Sequence, residues 1–149
     1  MFYSVILSLA LSAAPETSDI DCYDVKIRAK PVAQIPTVYP DDDPEYIVIS
    51  WPWFVDLKIT KVLEGEIRKS QITALAVLHT GYVRKSRIWF LRRNTAGFFN
   101  IIRTEPSRLV RCDPDTPAAN PYLRPGAGET YESYRRAGEE RYKLYGAKE

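Results

Sequence analysis

The chain has 149 residues, 45% of them hydrophobic and 27% charged, which is the range of one globular domain and excludes a multidomain enzyme. With 21 Lys and Arg against 19 Asp and Glu, the net charge of +2 excludes both an acidic disordered tail and a nucleic-acid binder driven by bulk charge. The 2 cysteines and 1 histidine cannot supply the four Cys or His ligands of a structural zinc site.

Met1 to Ala14 is an apolar run ending in small residues, with Ser12-Ala13-Ala14 before Pro15. This is the pattern of a short signal peptide, and it is too short to span a hydrocarbon core of ~30 Å as a helix. We therefore expect a secreted or periplasmic protein with no stable membrane anchor. In an oxidising compartment Cys22 and Cys112 are expected to pair, closing a loop of about 90 residues.

From Cys22 to Lys30, apolar Tyr23, Val25, Ile27 and Ala29 alternate with charged residues, which predicts a half-buried strand. Pro31, Pro36, Pro40 and Pro44, with Asp41-Asp42-Asp43, predict a long irregular connection after it. Tyr46 to Leu63 predicts one long strand, broken or bulged at Pro52, and Gly65 a turn. Gln71 to Thr80 predicts a buried strand. Arg87–Arg93 and Phe98–Arg103 flank Asn94-Thr95-Ala96-Gly97, the composition of a four-residue hairpin loop. Leu109 to Cys112 predicts a short last strand, and the proline-rich stretch from Asp113 to Gly128 a wrapped loop. Tyr131, Tyr134, Gly138, Tyr142 and Tyr145 then recur at helical spacing, with Thr130 placed to cap the helix and Gly146 to end it.

These elements suit either a sandwich or a small barrel. Val55 to Gly65, ending in Val62-Leu63-Glu64-Gly65, followed by Ile72 to Leu78 and by Trp89-Phe90-Leu91, resembles the core of netrin-like domains, the fold shared with tissue inhibitors of metalloproteinases. It is also similar to exported bacterial proteins of that shape. The resemblance implies a mainly β fold: a small, partly open, five- to six-stranded barrel of the oligonucleotide and oligosaccharide binding type over residues 15–128, with a C-terminal amphipathic helix over 129–146. Those inhibitors chelate zinc through an N-terminal cysteine. Cys22 lies about eight residues past the expected cut and begins no Cys-x-Cys pair, so that mechanism is not carried over.

No catalytic residue, cofactor or metal is expected. His79 has no patterned Ser, Cys or carboxylate partner. Asp41, Asp42, Asp43 and Glu45 lack the alternation and mid-loop glycine of a calcium loop. Two groups are candidates for binding. Trp51, Trp53 and Phe54 beside Pro52 form a stacking platform for a glycan or peptide, or else close one end of the barrel. Arg84, Lys85, Arg87, Arg92 and Arg93 surround Trp89 within a segment, residues 61–111, that holds 11 basic and 3 acidic residues. They meet an envelope polyanion or an acidic protein face, or else form the solvated outer side of strands. The expected function is an exported, non-enzymatic binding or envelope-associated module whose partner is a protein or an envelope polyanion and not nucleic acid. The alternative is an inhibitor or accessory subunit of an extracytoplasmic enzyme.

Overall fold

The computed structural model describes residues 22–37 and 49–146. The expected leader at 1–14 and the acidic run at 41–45 lie outside the described residues. In chain order the elements are β1 Cys22–Tyr23, β2 Val25–Pro36, β3 Trp51–Glu64, β4 Gln71–Leu78, β5 Arg87–Arg93, β6 Phe99–Ile101, a single 3-10 turn at Pro106–Arg108, β7 Val110–Arg111, and α1 Tyr131–Gly146.

Five strands form a barrel in the order β2-β3-β4-β6-β5, with β5 returning to pair with β2. The fold is mainly β, as expected, but the barrel is closed where a partly open one was expected. Closure comes from a short parallel pairing of β4 with β6, Ala74 opposite Phe99 and Leu75 opposite Asn100. A parallel neighbour far along the chain leaves no local sequence signal. Inward-facing Val25, Ile27, Val55, Leu57, Ala74 and Leu91 are fully buried and fill the interior, the arrangement their alternation with polar residues requires.

Two prolines behave differently from expectation. Pro31 does not end the first long strand, because β2 continues through it to Pro36. Beyond Ala29 the strand has lost β5 as a neighbour, and a register shift against β3 falls between Pro31 and Ala33. A residue without an N–H is tolerated at such a half-edge position. At Pro52 no break occurs either. The register of β3 on β4 runs unbroken from Trp51 opposite Leu78 to Lys58 opposite Gln71. The Pro52 carbonyl accepts both the backbone N–H and the hydroxyl of Thr37, at 3.1 and 2.7 Å. Residues 46–48 of the expected strand lie outside the described residues.

The predicted hairpin is present, with Gly97 at φ 83° in its turn. Gly65 turns the chain after β3 at φ 80°, and a Cβ there would stand 2.5 Å from the carbonyl oxygen of Asp24, so both conformation and space require glycine. The Cys22–Cys112 disulfide is present, with Cα atoms 4.9 Å apart, and it joins β1 to the end of β7, which pair in parallel. On a chain-entropy basis, closing a loop of this length stabilises the fold by about 4 to 5 kcal/mol.

Residues 113–128 form the expected loop wrapped on the barrel. The sequence did not reveal what holds it there. Buried Asn94 and Asn100 bond through their side chains at 2.9 Å, and the Asn100 amide donates to the Asn120 carbonyl at 2.7 Å. Ala119 adds backbone bonds to Arg93 and Thr95, both at 2.9 Å.

The helix begins where expected. Thr130 and Ser133 cap each other, each backbone N–H donating to the other's hydroxyl at 3.0 Å. The helix covers Ile35, Phe54, Leu75 and Leu123 on the outer wall with Tyr131 and Tyr134, and the Tyr131 hydroxyl donates to the Leu123 carbonyl at 2.7 Å. At Gly138 a Cβ would come within 2.9 Å of Ile35 Cγ2, so the helix crosses β2 there at backbone contact. The predicted tyrosine stripe is shorter than expected, because Tyr142 is exposed. The side chain of Tyr145 lies outside the described residues.

Candidate binding site at the barrel mouth

The C-terminal ends of β2 and β4 and the N-terminal ends of β3 and β5 frame one mouth of the barrel. Trp51 and Trp53, two apart on β3, both turn into it. Trp53 is buried and Trp51 half-exposed, with ring centroids 6.0 Å apart. Trp89, from β5, also faces inward, and its indole N–H donates to the Ala29 carbonyl at 2.9 Å. Phe54, expected as part of the same platform, has the opposite parity and lies on the outer wall beneath α1.

The connection between β4 and β5 passes over this mouth and is pinned by Gln34. The Gln34 side-chain amide donates to the Tyr82 carbonyl at 2.8 Å and accepts from the Tyr82 N–H at 2.5 Å. A Cβ on Gly81 would stand 3.1 Å from Gln34 Oε1 and 3.4 Å from the Trp53 ring, so this residue lets the connection lie close. The Tyr82 ring meets Trp89 edge-on at 4.8 Å. The Arg87 guanidinium stacks on both, 4.2 Å from the Tyr82 ring centre and 4.3 Å from that of Trp89.

Among the described residues two buried polar atoms here have no hydrogen-bond partner, the Trp53 indole nitrogen and the Tyr82 hydroxyl. Buried donors are paired in the great majority of native structures, and an orphan costs roughly 1 to 3 kcal/mol. Burial raises the Tyr82 phenol above its ordinary pKa, against the opposing influence of Arg103 and Arg87. The hydroxyl is therefore a neutral donor and acceptor across the physiological range. His79, at the rim, donates from Nδ1 to the Ile49 carbonyl at 2.6 Å and lies against the Trp51 ring.

The five candidate basic residues do not form one patch. Arg84, Lys85 and Arg87 lie at this mouth, while Arg93 is at the far end of β5, about 20 Å away along a strand rising ~3.3 Å per residue. Arg92 is a correction to the expectation of an outward cationic cluster, because it is buried. Its guanidinium donates to the sulfurs of Cys22 and Cys112 and to the Pro117 carbonyl, which makes it a structural strut under the disulfide. Gln34 and Tyr82 were missed by the sequence reading. The Gly-Tyr pair after an apolar strand was the available signal.

At the opposite end, a groove of about 520 Å³ opens between the β3–β4 connection and the hairpin turn, with Ile67, Lys69, Thr73, Phe98 and Phe99 among its walls. Arg68 on its rim is paired with Glu66 at 3.0 Å. Among the described residues no group of three or more His, Cys, Asp or Glu is placed to hold a metal ion, and no helix is long and apolar enough to cross a membrane. No protein-family model matches the chain, and no curated protein or solved structure matches it.

Proposed function

We propose that this chain is an exported, non-enzymatic binding module, related in its barrel to the netrin-like domains its core strands resemble, and that its ligand enters the aromatic mouth. One observation carries this reading: among the described residues two buried hydrogen-bonding groups, on Trp53 and Tyr82, stand without partners in a ring-lined end of the barrel. Ligand sites combine apolar walls with a few convergent polar groups, and that is the composition of this mouth. Trp51 offers a half-open indole face for stacking, and the Trp53 N–H and Tyr82 hydroxyl call for acceptor oxygens. A sugar ring has both an apolar face and hydroxyl oxygens, so a neutral saccharide is the ligand class this chemistry favours. The apolar leader and the Cys22–Cys112 bridge support an oxidising, extracytoplasmic setting.

The test is titration of the full-length protein with chitohexaose and cellohexaose, followed by tryptophan fluorescence. A saturable change that disappears in Trp51→Ala, with the circular dichroism spectrum preserved, is expected. A change that persists unaltered in Trp51→Ala, or no saturable change with either sugar, counts against a saccharide at this mouth.

A further inference from the structure

A second surface, remote from the mouth, carries charge that the linear sequence does not display. Arg28 and Lys30 on β2, and Lys58 and Lys61 on β3, are all exposed on the outer wall of the barrel. The strand register sets them face to face, Lys30 opposite Lys58 and Arg28 opposite Lys61. Directly opposed residues on antiparallel strands have Cβ atoms ~5 Å apart, and Arg28 and Lys30, two apart on β2, are separated by ~7 Å; a register shift between Arg28 and Ala29 takes up the extra residue between Lys58 and Lys61, so the four cations sit together as two neighbouring opposed pairs. Like charges opposite one another destabilise a sheet.

No ion pair relieves them among the described residues. The nearest outward carboxylate, Glu64, is taken by Lys26 at 2.9 Å and by the Tyr23 hydroxyl at 2.7 Å. Asp56, the other acidic residue of β3, is buried under α1 against Arg135. The helix thus covers one half of the outer β2–β3 wall and leaves on the other half four cations with no ionic partner among the described residues.

We propose that this open half binds an anionic polysaccharide. The four cations lie on an open wall, which suits a linear polymer bringing several anionic groups across it better than a single small anion. Nucleic acid is disfavoured because the described residues of this surface offer no free aromatic for base stacking. The nearest outward ring, Phe90, is occupied by Tyr23 at 5.0 Å and by the Lys26 ammonium at 5.5 Å. An anionic bilayer is disfavoured because Val32 and Ile88 are the exposed large apolar side chains at this wall, and the charged rows lie between them. Among the described residues no exposed aromatic anchors the interface there.

The experiment uses the full-length protein with heparin as the sulfated polysaccharide probe, and measures binding between 50 and 200 mM salt. Borrowing the ~0.7 to 0.9 salt exponent per neutralised charge from nucleic acids, four contacts lower affinity about 50- to 150-fold over that range and two contacts only about 7- to 12-fold. The double variant Lys30→Gln/Lys58→Gln is therefore expected to bind more weakly and with about half the salt dependence. Arg28→Gln/Lys61→Gln is expected to do the same, while Arg84→Gln/Lys85→Gln, with the same charge loss at the mouth, retains the wild-type slope. Melting temperatures unchanged or raised in the first two variants establish that they fold. The proposal is overturned if all three variants lose the same amount, or if a 20-mer of deoxythymidine or vesicles containing phosphatidylglycerol compete as well as free heparin. Because Trp51→Ala leaves this face intact, its heparin binding separates this proposal from the saccharide reading of the mouth.

Discussion

Arg135 on α1 reaches across to Asp56 on β3, 79 residues earlier, and binds both oxygens of its carboxylate, at 2.9 and 2.7 Å. Thr73 donates a third hydrogen bond to the same carboxylate at 2.7 Å, and Glu139 pairs with the Arg135 Nε at 3.1 Å. The pair locks the helix onto the barrel. Burial pushes the Asp56 carboxyl up, but the bonds from Arg135 and Thr73 outweigh it and hold the group below the usual carboxylate range.

The sign of the pH effect follows from that depression. The stabilisation from Asp56 is fully present above the ordinary carboxylate pKa of about 3.9 and is lost as pH falls through the lower folded value. Urea midpoints of the wild type are expected to fall below pH 4, and Asp56→Asn to remove part of that dependence. Arg135→Ala, which leaves a buried carboxylate without its cation, is expected to cost roughly 3 kcal/mol at pH 7. An Arg135→Ala midpoint equal to wild type would mean that the helix is held by its tyrosines alone.

Gly138 supplies a test of helix docking that reverses the propensity rule. Alanine is favoured over glycine in a helix interior by ~1 kcal/mol, so an undocked helix gains from Gly138→Ala. Here a Cβ meets Ile35 Cγ2 at 2.9 Å and crowds the Pro36 carbonyl. A lowered melting temperature is expected, and a raised one would place the helix away from β2.

Arg92 distinguishes strut from ligand contact. Its bonds to both disulfide sulfurs and to Pro117 tie the end of β7 and the start of the wrapped loop to β5. Arg92→Gln is expected to lower stability by about 2 kcal/mol, the cost of disrupting a buried charged hydrogen-bond network, with an unchanged salt slope on heparin. Calorimetry and the same heparin-binding measurement separate the two effects. A wild-type melting temperature with altered heparin binding would return Arg92 to the binding surface.

Local pattern reveals much of this fold. The Asn94–Gly97 turn and the tyrosine spacing from Tyr131 each place an element within a residue or two, and the alternation around Val25 and Ile27 places the first long strand though not its end at Pro36, because each signal is carried by neighbours in the chain. The disulfide was legible from the count of two cysteines once export was expected. What escaped was non-local. Closure by β4 and β6 depends on a crossover, the burial of Arg92 on a disulfide partner and a loop that converge only in the fold, and the β2–β3 cations on register between residues 28 apart, as in Lys30 and Lys58. At the mouth, Trp51 and Trp53 were visible as candidates, but not that their neighbour Phe54 leaves by the opposite face. Tyr82 became part of the site only through the clamp from Gln34, 48 residues away.

The Trp53 indole N–H gives the most direct measurement of the central claim. In a nitrogen-15 spectrum of the free protein its resonance is expected to lack the shift of a strong hydrogen bond that the Trp89 indole, bonded to Ala29, displays. On titration with the saccharide that quenches tryptophan fluorescence, the Trp53 signal is expected to move furthest of the three indoles while the Trp89 signal stays. A Trp53 indole already bonded to a long-lived internal water, shown by a cross-peak to water and unmoved at saturation, would contradict a ligand site at the mouth and make the orphaned donor a feature of the core.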